Sequence, residues 1–80
     1  MTTPVDRVQD EVVALLQRLQ EAIAVTLRKY RIPAEDAQDL VQDAVLALLE
    51  RREQITQPEH WLLATVRLKC CRYWRSRRRR

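Results

Sequence analysis

Apolar residues recur three or four positions apart along three stretches of the chain, the spacing of one face of an α-helix. The first stripe runs through Val8, Val12, Leu15, Leu16, Leu19, Ile23, Leu27 and Tyr30. It predicts a helix of about 26 residues, ~39 Å long if unbroken. Arg7, Asp10, Glu11, Arg18, Glu21, Arg28 and Lys29 fall on its outer face. Thr3 is placed to cap it, Pro4 to take its first position and Asp6 to lie in its first turn. No clear breaker interrupts the stripe, although so long a helix could bend or split. Arg31-Ile32-Pro33 closes it, because proline biases its predecessor away from helical backbone, and the boundary is set at Ile32. The second stripe is Ala37, Leu40, Val41, Ala44, Val45 and Leu48. Glu35 and Asp36 fall in its first turn and Arg51-Arg52 in its last, the signs that a helix dipole favours at those ends. Thr56-Gln57-Pro58-Glu59 reads as a capping box for a third helix, with Thr56 as N-cap and Pro58 tolerated in the first turn. The third stripe is Leu62, Val66, Cys70 and Tyr73, with Leu63 and Trp74 beside it. Short connections between amphipathic helices predict an all-α fold, a small bundle of about three helices.

Length and composition narrow what such a bundle can do. Eighty residues make one domain, 1–80, and a chain this short buries only about 60% of its unfolded surface. That leaves little room for a deep catalytic cleft. No run of 18 or more apolar residues suggests a membrane span. The N-terminus lacks the charged start and apolar core of a signal peptide, so the chain is expected in the cytoplasm and not at a membrane. Cys70 and Cys71 are adjacent, cannot staple distant segments and have no second pair with which to hold zinc. They read as reduced thiols, Cys70 in packing.

The net charge of +4 hides an asymmetry. Up to Glu59 there are seven Lys/Arg against eleven Asp/Glu; after it there are eight cations and no acid. One surface for a polyanion and another for a different partner is the natural implication. No nucleophile-and-base arrangement accompanies these charges. His60 is the single histidine, and with no glycine the chain has no phosphate-cradling loop. An enzyme, a metal site and a cofactor are therefore not expected. The third helix is the clearest chemical signal: cations attract phosphates, and Trp61, Tyr73 and Trp74 offer flat faces for unpaired bases. The same pattern also fits a solvated helix with core aromatics and a basic tail. Helix two carries Glu35, Gln38, Asp39, Gln42 and Asp43 opposite its apolar stripe. An acidic face repels DNA, so it is expected to point away from any nucleic acid; as a plain solvated face it needs no partner.

The run Asp36-Ala37-Gln38-Asp39-Leu40-Val41-Gln42-Asp43, continued by Ala44-Val45-Leu46-Ala47-Leu48-Leu49, resembles the second-region signature of extracytoplasmic-function sigma factors. Downstream, Ile55-Thr56-Gln57-Pro58-Glu59-His60-Trp61-Leu62-Leu63 and the ending Tyr73-Trp74-Arg75-Ser76-Arg77-Arg78 are similar to that region's loop, Trp-Leu helix start and basic close. The likeness spans about Leu15 to Arg78. It departs from the family's pattern at Gln38, usually an acid, and at Ala64 and Leu68, often Arg and Asn. The resemblance implies a region 2 domain that docks on the clamp helices of the largest RNA polymerase subunit and recognises and helps melt the promoter minus-ten element. Asp39, Gln42 and Asp43 would contact the polymerase, flanked by Gln38 and Leu49. Trp61 would stand at the upstream edge of the melted segment, with Thr65, Leu68, Lys69, Arg72 and Arg75 along the DNA. Flipped bases would enter the loop from Glu53 to His60. An anti-sigma factor is a further partner that the resemblance allows. A complete factor carries a second, helix-turn-helix domain that this sequence does not include, and residues 76–80 read as a basic tail or the start of a linker, as in an excised or stand-alone domain. The competing expectation is a small helical regulator that binds a protein partner and uses its basic end for non-specific nucleic-acid binding.

Overall fold

The computed structural model describes the backbone of residues 4–78 and the side chains of residues 10–77. Three helices follow one another: α1 over Pro4–Lys29, α2 over Ala34–Glu50 and α3 over Pro58–Arg78. A 3-10 turn, Arg52–Gln54, joins the last two. The fold is all-α, as the three stripes require. α1 is unbroken for 26 residues. The cap expected at Thr3 lies outside the described residues.

α1 ends earlier than proline alone implies. The Ile32 amide bonds to the Leu27 carbonyl at 3.0 Å and the Arg31 amide to the Arg28 carbonyl at 3.0 Å. These are the two reciprocal bonds of a Schellman close, with Ile32 folding back toward Leu27. The close needs a left-handed residue after the last turn, and with no glycine in the chain Arg31 takes that conformation at φ 54°. Ile32 is buried, so this turn also supplies the core. α2 starts directly after Pro33, whose ring offers no acceptor to cap it; the Ala37 amide bonds to the Pro33 carbonyl at 2.8 Å. Glu35 and Asp36 occupy the first turn, where the dipole favours acids.

Two expectations at helix ends are corrected. Arg51 and Arg52 are not in the last turn of α2. Arg51 is its C-cap, donating to the Ala47 carbonyl, and Arg52 opens the 3-10 turn. The capping box at Thr56 does not form either. α3 begins at Pro58, whose missing N–H costs nothing at a first helical position, and the Trp61 amide bonds to the Gln57 carbonyl at 2.9 Å. Glu59 turns away from Thr56 to pair with Arg18 on α1. Residues 76–78 of the basic ending continue α3.

α3 packs against both other helices, which meet each other far less. Its Leu62, Val66 and Cys70 are wholly buried, and they contact a cluster formed by Leu15, Leu19 and Ile23 of α1 with Leu40, Ala44 and Leu48 of α2. Burying side chains of this size stabilises by roughly 1.5–3 kcal/mol each. Burial also pushes the Cys70 thiol up, which keeps it a neutral core residue.

Candidate nucleic-acid interface

The stripe that buries α3 leaves the opposite side bare. Trp61, Thr65, Leu68, Arg72 and Arg75 follow one another at steps of four, three, four and three, so they form a single line down the helix. Arg72 and Arg75 are exposed, and Leu68 is 50% exposed although apolar. Lys69 flanks the line one turn beyond Thr65 and is half-buried. All six residues expected to face DNA thus share one continuous surface.

Beside Trp61 the surface is hollow. Arg51, Gln54, Ile55, Thr56, Gln57, His60, Trp61 and Ala64 line a depression of about 440 Å³, within the range of ~300–1,000 Å³ typical of small-molecule sites. It lies in the loop expected to receive a flipped base. Its wall offers amides, a hydroxyl and an indole, groups that hydrogen-bond a base edge or stack on its face.

Gln38, Asp39, Gln42, Asp43 and Leu49 are all exposed on α2. Leu46, 51% exposed, extends the line from Gln42 to Leu49. It was missed by the sequence reading; its signal was an apolar residue standing outside the buried stripe. Part of this acidic face, expected to point away from any nucleic acid, lies alongside the basic helix. Asp36, Asp39 and Asp43 share a groove of about 350 Å³ with Lys69, Arg72 and Tyr73. The α2 stripe turns Leu40 and Ala44 into the core, and that rotation brings the acids one and four positions before Leu40, with the one just before Ala44, alongside α3. No ion pair bridges Asp39 or Asp43 to Lys69 or Arg72 among the described residues.

At the end of the groove the two helices are latched. Tyr73 donates its hydroxyl to Asp36 Oδ2 at 2.6 Å, and Arg77 reaches the same oxygen at 3.1 Å. The Arg77 guanidinium lies 4.5 Å from the Tyr73 ring centre. The hydrogen bond to Asp36 holds the Tyr73 hydroxyl above the usual tyrosine value, with burial adding to it. Trp74 packs edge-on against Tyr73, ring centres 5.1 Å apart, and donates Nε1–H to the Tyr30 carbonyl. Tyr73, Trp74 and Trp61 all pack against the core, and Trp61 also lines the depression. Asp36, counted from sequence as a dipole acid, is the hub of this latch.

Residues 5–80 match the family model described as Sigma-70 region 2. Neither the curated proteins nor the solved structures yield a match.

Proposed function

The chain belongs to the sigma-70 region 2 family, a domain of transcription initiation that binds RNA polymerase and takes part in promoter recognition, and on that premise we propose how this chain divides the two tasks. The exposed residues of α2, Gln38, Asp39, Gln42, Asp43, Leu46 and Leu49, dock on the clamp helices of the largest polymerase subunit. The line on α3, with Trp61, Thr65, Leu68, Lys69, Arg72 and Arg75, lies along the minus-ten element, and the depression beside Trp61 takes an unpaired base. The chain acts in the cytoplasm as a factor of the extracytoplasmic-function type.

The observation that carries this assignment is the union of the α3 line with the depression at its head. Opening DNA costs a few kcal/mol per unstacked step. A protein pays that only by holding the single strand better than the duplex. An indole over a recess lined by amides does so by stacking, at ~1–3 kcal/mol per base, and the cations below it hold the backbone. On α2, half-bare Leu46 and Leu49 beside Asp39 and Asp43 suit a basic helical partner with an apolar seam.

Two measurements test the division. Fluorescence anisotropy with a single-stranded minus-ten oligonucleotide and its scramble should show preferential binding, lost in Trp61→Ala. Pulldown with a clamp-helix fragment should be weakened by Asp39→Ala with Gln42→Ala and left intact by Trp61→Ala. Equal affinity for both strands, or undiminished clamp binding by the folded double variant, overturns the corresponding half.

A further inference from the structure

The segment between α2 and α3 is gripped from behind by α1. Arg52, at the head of the 3-10 turn, pairs with Glu11. Glu59, in the first turn of α3, pairs with Arg18 at 2.8 Å. Glu11 and Arg18 stand two turns apart on α1, a rise of ~10.5 Å, so the two ties hold the segment near both of its ends. Between them lies a cavity of about 360 Å³ lined in part by Leu15, Leu48, Ile55 and Pro58. Ile55 also lines the depression beside Trp61. Ile55 thus stands between a space on the α1 side and the recess on the α3 side. The segment's backbone bonds are local, from the Gln54 amide to Arg51 and from the Ile55 amide to Arg52. Ile55 and Trp61 pack against the core; with open space behind Ile55 and only local backbone bonds within the segment, the ties add the contacts that fix its ends against α1.

We propose that Glu11 and Arg18 are positioning residues for strand recognition: they touch neither DNA nor polymerase, and they fix the segment from Arg51 to Trp61 so that the recess keeps the shape of a base. This rests on the assignment of that recess to an unpaired base. Both ties are exposed, and exposed pairs add little to global stability. Their effect falls on selectivity, not on the fold.

The test is a charge swap. Glu11→Arg, Arg52→Glu and the swapped double variant are compared with the wild-type domain for binding to two labelled single strands. One strand is selected from a random pool by the wild-type domain; the other is its scramble. Both strands carry equal charge, so altered attraction to phosphates cancels in the ratio of affinities. Each single reversal should lower that ratio about two- to fivefold, the scale of an exposed pair, and the swap should restore it. Melting temperatures should stay within ~5 °C of wild type, which separates positioning from unfolding. The Arg18–Glu59 tie is tested the same way. A wild-type ratio untouched by the reversals, or a swap that does not restore it, overturns the inference alone. A wild-type domain that binds both strands equally overturns the base-recess assignment and the inference with it.

Discussion

Arg31 shows how a single residue can carry a cost that the rest of the turn repays. A side chain with a Cβ in the left-handed region costs roughly 1–2 kcal/mol. It is tolerated here because the two Schellman bonds and buried Ile32 depend on it. Arg31→Gly should therefore raise stability by up to about 1 kcal/mol, the relief being partly offset by glycine's greater freedom in the unfolded chain; a lowered melting temperature would contradict this. Buried leucines set the opposite extreme. Leu40→Ala and Leu48→Ala should each cost ~2–5 kcal/mol, a large part of the total for so small a domain. Leu46→Ala, on the bare side of the same helix, should leave melting unchanged while weakening the clamp pulldown. Tyr73 gives a pH signature. Its hydroxyl is held above the ordinary value by the bond to Asp36, so the folded state binds that proton more tightly than the unfolded one. The stabilisation is complete below the ordinary tyrosine value of about 10 and fades as pH rises through the higher folded value. The stability gap between wild type and Tyr73→Phe should accordingly be open at pH 8 and close at strongly alkaline pH, as urea titrations at a series of pH values would show.

At the scale of elements, what could be read in advance was what repeats. The stripes of α1, α2 and α3 gave three helices and nearly all of the core, because burial of one face leaves a periodic trace in the sequence. Helix ends were less legible, since their partners are not periodic. Glu59 suits a capping box by spacing, yet Arg18, 41 positions earlier, offers it a full charge, and nothing local announces that. Glu11–Arg52 and Asp36–Arg77 likewise join residues far apart in the chain. The candidate site divides along the same line. The α3 residues were expected from the family resemblance, and that they form one line was legible because their spacing puts them on one helix face. The groove between Asp39, Asp43, Lys69 and Arg72 was not, because it depends on how α2 is rotated against α3. The latch at Asp36 makes a prediction at this scale: Asp36→Asn should loosen the end of α3 and expose amides near Tyr73 to faster hydrogen exchange, with those around Val66 unaffected.

The whole molecule is long and narrow, with extents of 50 × 22 × 21 Å and a radius of gyration of 13.7 Å; a compact domain of this length has ~11.6 Å. Within this elongated shape α3 is the element on which both others rest. The helix proposed to read DNA is thus also the one whose inner face is wholly buried, so its outer line is presented on a rigid support. The shared groove has a consequence for the energetics of the whole domain. Lys69 and Arg72 line one groove with Asp36, Asp39 and Asp43, so the domain carries part of its own counterion atmosphere. With DNA on the proposed α3 line, fewer small cations would be displaced from the combined surfaces than the cation count implies, and affinity for arbitrary DNA would be held down. Asp39→Asn with Asp43→Asn should steepen the dependence of DNA affinity on salt and tighten non-specific binding, while Glu35→Gln with Glu50→Gln, an equal change of charge away from the groove, should do so less. The same two aspartates are assigned to the polymerase, so their replacement should move the two affinities in opposite directions. On the proposed division of tasks, such a domain would trade tightness on random DNA for dependence on its larger partner.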